Sequence, residues 1–282
     1  MTHAEAGIYA PEFPPATRWV NAAFIRMGTL LGRHAALVWF WDYTNLNSIR
    51  ALPYVREWHN RYASHGLKVI AVHSPQFEFG KDPRRVEEAA TRLEVPFPIA
   101  ADSDYAIWRL YGTEVWPSLY LWDRTGSLRH HHFAEGAYRE TELAIQMALH
   151  EIDADLELPE PMLPLRPTDV PGALVEPPTP HRYLEPDRSG RPIQAGEQLS
   201  VRYAGAGAAA VLDGRGGVDV LLNGEWIRTF ELDGPRLYDI VNTNHHQRHE
   251  LTLVFDAPAT AYAFSFAAGP AINETPAERP PP

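Results

Sequence analysis

The apolar residues in the first half of the chain change period in a regular order. Residues 35–41, Ala-Ala-Leu-Val-Trp-Phe-Trp, form an unbroken apolar run of strand length, as expected of a strand covered on both faces. Ile49, Leu52, Val55, Trp58 and Tyr62 then recur at spacings of three and four, which places them on one face of a helix. Pro53 inside that stretch is expected to kink it. A second apolar strand follows at 68–73, and residues 82–93 and 103–111 read as helices. Strands at 118–123 and 128–133 flank Arg124-Thr-Gly126, a hairpin turn by composition, and a helix over 140–151 closes the alternation. Strand, helix and strand early, with a hairpin and helix late, predict an α/β unit with a mixed central sheet and helices on both faces.

The second half has a different rhythm. Short strand candidates occur at 199–203, 208–212, 218–222, 225–230, 237–241, 250–255 and 261–266, with Gly, Asp and Asn between them. Such spacing predicts an all-β antiparallel sandwich or jelly roll. Ten prolines fall between 156 and 192, and the last twelve residues are again proline-rich. The expected organisation is an α/β domain over 1–155, an extended linker over 156–192, a β-sandwich over 193–270 and a disordered tail over 271–282.

Composition narrows the function classes. The net charge of −11 argues against a nucleic-acid partner, because phosphate neutralisation needs clustered Lys and Arg. No apolar run approaches the length of a membrane span, and the first residues lack the basic and apolar regions of a secretory leader. A cytoplasmic location is therefore expected, or an extracytoplasmic one if a leader has been trimmed away. The 282 residues include no cysteine, which removes disulfides, thiolate nucleophiles and Cys-ligated metals together.

That absence gains meaning from one segment. Phe40-Trp-Asp-Tyr-Thr-Asn-Leu-Asn-Ser-Ile-Arg-Ala-Leu-Pro53 resembles the active-site segment of extracytoplasmic thioredoxin-like proteins of the TlpA and DipZ types, Phe-Trp-x-Tyr-Ser-Cys-x-Asn-Cys-x-Arg-x-x-Pro. Val69-Ile-Ala-Val-His-Ser-Pro-Gln-Phe77, Trp116-Pro117-Ser-Leu-Tyr-Leu121 and the stretch from Arg129 to Gly136 are similar to further family segments, in the same order. The resemblance runs from about Ala10 to His150 and implies a thioredoxin fold of the AhpC/TSA-like group with a cis Trp116–Pro117 bond. Pro235-Arg-Leu-Tyr238 and Ala261-Tyr-Ala-Phe264 resemble, more weakly, the carbohydrate-binding-module-like domain appended in DipZ-type proteins.

Aligned on that motif, the two family cysteines fall on Asn45 and Ser48. The buried aspartate that thioredoxins place six positions before the first cysteine falls on Trp39, and the family glutamate after Thr-Pro becomes Gln76. Thiols and nearby carboxylates have left together, which excludes dithiol–disulfide exchange by this chain alone. Asn45 suits a helix N-cap. Ser48 as a nucleophile would need a general base, for which His73 is the candidate, but no Gly-x-Ser-x-Gly elbow surrounds it. The groove implied by the resemblance would offer Asp42, Tyr43, Thr44, Asn45, Asn47, Ser48, His73, Gln76, Trp116 and Pro117 to a protein or peptide partner.

The remaining candidates are weaker in kind. His130-His131-His132 lies on a strand, so only His130 and His132 share a face, and His245, His246 and His249 fall in a polar stretch read as a turn; no metal site and no cofactor are expected. In the β-rich half Trp226, Tyr238 and Asn242–Asn244 are candidates for a carbohydrate contact, on fold analogy. The expected function is a redox-inactive binding or scaffold protein. The alternatives are an enzyme with non-thiol chemistry in the same groove and a conventional thiol-disulfide oxidoreductase, the last opposed by the missing cysteines.

Overall fold

Strand β2 (Ala35–Trp41) is buried along its whole length, and its alternate side chains enter two different cores. Ala35, Leu37, Trp39 and Trp41 join one apolar cluster; Ala36, Val38 and Phe40 join the other. A strand with period 2 and no polar face requires cover on both sides, and the computed structural model, which describes residues 8–270, supplies it. The sheet runs β1 (Arg18–Val20), β4 (Ile99–Ala101), β3 (Leu67–His73), β2, β5 (Ser118–Trp122), β6 (Leu128–Phe133). Strands β2, β3 and β4 are parallel to one another, and β1, β5 and β6 are antiparallel to their neighbours. Helices α2 (Leu46–Tyr62), α3 (Pro83–Arg92) and α5 (Tyr138–His150) contribute to the first cluster. The short α1 (Met27–Leu30) and α4 (Ala106–Leu110) contribute to the second. Helix α2 continues through Pro53 as one element.

The chain divides into two compact units after Pro164. The proline-rich segment 156–192 is not free chain between them. Its first part belongs to the first unit: Leu156, Leu158 and Met162 pack on the core, and the buried Glu142 of α5 accepts the Met162 N–H at 2.8 Å. Its later part enters the second unit as β7 (Val175–Glu176), β8 (Arg182–Tyr183) and β9 (Arg191–Ile193), paired with β14 (Gly269–Pro270) and β13 (Ala259–Ala267). Proline lacks one donor but keeps its carbonyl, so short edge pairings accommodate it. The expected tail over 271–282 lies outside the described residues.

The second unit is built from strands longer than the sequence pattern suggests. The candidates at 199–203, 208–212 and 218–222 are parts of one strand, β10 (Gln198–Leu222), and those at 237–241 and 250–255 are parts of β12 (Arg236–Phe255). With β11 (Glu225–Asp233) these form two antiparallel runs. Residues 251–254 of β12 lie between 198–201 and 219–222 of β10, and residues 207–212 of β10 lie between the start of β12 and β13. Val201, Val218, Val220, Leu251 and Leu253 of the first run meet Ala210, Leu212, Ile240, Phe264 and Phe266 of the second in a single core, giving a sandwich. Register shifts at Gly205/Gly207 and before Val218 bend β10 between the layers. Gly216 sits at φ 119°, where a side chain is strained, and a Cβ would stand 2.8 Å from Ala257 Cβ.

Candidate functional site

The loop joining β2 to α2 is organised by a buried carboxylate. Asp42 Oδ1 accepts the Thr44 backbone N–H at 2.6 Å and the Thr44 hydroxyl at 2.7 Å, and Oδ2 accepts the N–H of Gln76 from the loop after β3. His73, at the end of β3, places Nε2 3.6 Å from Asp42 Oδ1, a contact longer than a hydrogen bond. Burial pushes the Asp42 carboxyl up, but the His73 ring and the Thr44 donors outweigh it and hold the acid below the ordinary carboxylate range. Tyr43 stacks on His73 with ring centres 4.9 Å apart, and burial drives its phenol well above the usual range.

Asn45 caps α2, its side-chain oxygen accepting the Ser48 N–H at 2.9 Å. The Ser48 hydroxyl is fully buried and accepts the Asp42 backbone N–H at 3.3 Å. The structure pairs His73 with Asp42 rather than with Ser48, so the base that a serine nucleophile would need is engaged elsewhere. Beneath the loop, Trp39 and Trp41 stack at 5.1 Å and fill the space under α2.

Trp116 and Pro117 are joined by a cis bond, as the resemblance implies. The Trp116 indole N–H donates to the Ser74 carbonyl at 2.9 Å, and its ring lies 4.3 Å from that of Trp108. A cavity of about 20 Å³, lined by Trp39, Trp58, Pro117, His132 and Tyr138 among others, adjoins this loop and has room for a water-sized group.

All ten groove candidates therefore gather at one end of the sheet, but they do not share one surface. Asp42, Tyr43, Thr44, Ser48, His73, Gln76 and Pro117 are buried, and Asn45, Asn47 and Trp116 form a half-buried rim together with Leu46. A carboxylate facing the turn finds three donors inside it and the His73 ring beside it, which is why Asp42 points inward instead of toward a partner. Two features are absent from the sequence reading. Asp102 accepts from the Ser74 hydroxyl at 2.9 Å and from the Ile107 and Trp108 N–H groups at 2.8 and 2.9 Å, and so ties α4 to the Ser74–Trp116 contact. Burial pushes its carboxyl up, against those hydrogen bonds. An Asp just before a helical segment is a start signal that could have revealed it. Arg50 of α2 pairs with Glu135 at 2.7 Å at the rim of the site.

The histidine runs carry no ligand set. His130 Nε2 lies 3.1 Å from the Thr141 hydroxyl and His131 is exposed; among the described residues no cluster of three His, Cys, Asp or Glu is placed to hold a metal ion. In the second unit Tyr238 is core, its hydroxyl bonded to the Gly234 carbonyl and Asp233 carboxylate. Trp226 is 62% exposed, and its indole N–H lies 3.3 Å from Asp219 Oδ1. The polar stretch read as a turn lies within β12, where 243–246 bulge opposite Ala206 between the pairs Gly205–Gln247 and Gly207–Asn242.

Comparison with known proteins agrees with this geometry. The AhpC/TSA family model matches residues 20–131. Protein DipZ of Mycobacterium tuberculosis is 37% identical over 173 residues, covering 60% of this chain and 25% of DipZ, so the chain spans about a quarter of that relative. The thiol-disulfide oxidoreductase YkuV of Bacillus subtilis is 31% identical over 143 residues, covering 51% of this chain and 95% of YkuV. A solution structure of a thioredoxin-like protein in the oxidized form superposes with a TM-score of 0.48 at 29% identity, covering 52% of this chain and 98% of that one. With almost the whole of YkuV matched and the mixed sheet, capped α2 and cis Trp116–Pro117 in place, the chain belongs to the thioredoxin-like AhpC/TSA family.

Proposed function

We propose that the thioredoxin-like unit is a redox-inactive binding module that receives a protein or peptide partner beside Asn45, Asn47 and Trp116. The observation that carries this is the division of the old motif. Its polar groups are turned inward, where Asp42 gathers Thr44 and Gln76 and Asn45 caps α2, leaving a rim of two amides, a leucine and an indole. Such a rim suits an extended backbone, which needs donors and acceptors beside an aromatic edge. The Asn47 amide makes no hydrogen bond among the described residues. A thioredoxin-like fold without cysteine is consistent with a scaffold, and a thiol-free module works unchanged in reducing or oxidising surroundings. Enzyme chemistry in the same groove is opposed by the burial of Ser48 and by the placing of His73 against Asp42.

The test is a photo-crosslinking residue placed at Asn47 and, as control, at the exposed Glu87 of α3, in the full chain expressed in its own host. One discrete adduct specific to Asn47 is expected. Equal yields at both positions, or insulin reduction above background by the purified chain, would remove the proposal.

A second reading concerns the β unit. Trp226 stands exposed on the outer strand, with Asp219 beside it and the Thr229 hydroxyl on the same carboxylate. An indole face with fixed polar neighbours suits a pyranose ring. Retention by a soluble polysaccharide in affinity electrophoresis, lost in Trp226→Ala, is the outcome that supports it; retention unchanged in that variant removes it.

A further inference from the structure

A cleft of about 490 Å³ opens on the outer face of the second unit, within the size range of small-molecule sites. Neither the thioredoxin-like rim nor Trp226 takes part in it. Strand alternation creates it: Val201 and Tyr203 of β10 and His249 and Leu251 of β12 are buried, while Arg202, Arg248 and Glu250 between them are exposed. Arg202 stands opposite Glu250, and Ala204 stands opposite Arg248. Ala204 has only a methyl group where its neighbours have long side chains, so the surface dips there. Thr179 and Asn223 close the sides.

The cleft has a surplus of hydrogen-bond donors. Asn223 Oδ1 accepts the Glu250 N–H at 2.9 Å, so its amide nitrogen is the group facing His249 Nδ1 at 3.3 Å. His249 Nδ1 is thereby the acceptor and the ring proton sits on Nε2, which faces the interior rather than the cleft. Burial lowers the His249 pKa and favours this neutral form. Thr179 Oγ1 accepts the Ala204 N–H at 2.8 Å, which leaves its own hydrogen to give. Arg248 makes no ion pair among the described residues, whereas Glu250, the one carboxylate of the cleft, is held by Arg202 at 3.1 Å. Two guanidinium groups against one engaged carboxylate leave the cleft cationic in a chain of net charge −11.

We propose that this cleft binds a small polar molecule through a carboxylate, sulfate or phosphate group seated between Arg202 and Arg248. An oxyanion is the ligand whose lone pairs match this donor set, and the planar guanidinium fork holds it with two bonds. Hydroxyl groups on the rest of the molecule find Thr179 and Asn223 at the sides.

The test uses the isotopically labelled full chain, with amide shifts followed during titration at constant ionic strength with sodium sulfate, D-glucuronate and D-glucose. Saturable shifts at 202–204, 223 and 248–250 are expected with the anions and not with glucose. Arg248→Ala should weaken anion binding about tenfold and Arg248→Lys by less, since the charge stays and the fork goes. Arg84→Ala, in the other unit, should leave it unchanged. Binding of sulfate alone supports the seat and assigns it to tetrahedral anions, and binding of glucuronate alone supports it and assigns it to carboxylates. The proposal is overturned if glucose binds as well as glucuronate, if neither anion saturates by about 50 mM, or if Arg248→Ala binds like the parent.

Discussion

Replacing Asp42 by Ala tests whether the loop before α2 is held by this one carboxylate. The substitution removes the acceptor of three hydrogen bonds, from the Thr44 N–H, the Thr44 hydroxyl and the Gln76 N–H, and the partner of His73. Hydrogen bonds to a charged group contribute about 1.5–3 kcal/mol each, but they are not additive and the Thr44 hydroxyl can turn to another acceptor. Since Asp42 is 1% exposed, the donors left behind cannot simply rehydrate, and a net loss of about 3–5 kcal/mol is expected. Asp42→Asn keeps the shape and one acceptor oxygen, and should lose about 2 kcal/mol.

Urea unfolding followed by tryptophan fluorescence is the assay. Of the eight tryptophans only Trp226 lies beyond residue 164, so the signal reports the first unit. The pH dependence sharpens the test. Because the folded-state pKa of Asp42 is depressed, its stabilisation is complete above the unfolded carboxylate value, near 4, and is lost as pH falls through the lower folded value. The gap between parent and Asp42→Ala should therefore be constant from neutral pH down to about 5 and shrink in more acid solution. A loss below about 1 kcal/mol at pH 7, or a gap that does not change on acidification, refutes the reasoning.

Asp102 should show the opposite sign. Burial raises its folded-state pKa, so its contribution is present at low pH and falls as pH rises through that value; the stability of Asp102→Asn relative to the parent should improve between about pH 4 and pH 7 in the same unfolding assay. Asn45→Ala removes the α2 cap and should cost about 1 kcal/mol, with Asn45→Gly costing only a few tenths, measured by urea midpoint. Glu142→Ala removes the acceptor of the Tyr62 hydroxyl and the Met162 N–H, so limited proteolysis should cut within 156–164 faster than in the parent while the core fragment survives.

The first unit was largely legible because its elements are long enough to show a period. The apolar run at Ala35–Trp41 and the spacing of Leu52, Val55, Trp58 and Tyr62 survive any local ambiguity, since each buries a whole face. Strands β1 and β4 and helix α1 have three or four residues each and show no period; register with their neighbours defines them. In the second unit the glycines between candidate strands read as turns, although there they bend a continuous ladder. Glycine permits either outcome, and only the partner strand decides between them.

The site was legible as positions and not as surfaces. Motif spacing places Asp42, Asn45, Ser48, His73 and Trp116 together, and they are together. Which way each side chain turns depends on donors distant in sequence, such as the Gln76 N–H supplied from the loop after β3 to the Asp42 carboxylate. The same contact bears on why the redox chemistry is gone as a unit. A thiol restored at position 45 would gain from the α2 N-terminus, which favours thiolate. It would also stand three residues after a carboxylate that is kept ionised, and that charge disfavours thiolate. Below it, where a proton-relaying acid would be needed, the stacked Trp39 and Trp41 leave an apolar wall. The charge of the site lies in its covering loop, where it orders the backbone. Asn45 and Ser48 fit that arrangement because each bonds to the loop itself, the one as a cap and the other as acceptor for the Asp42 N–H.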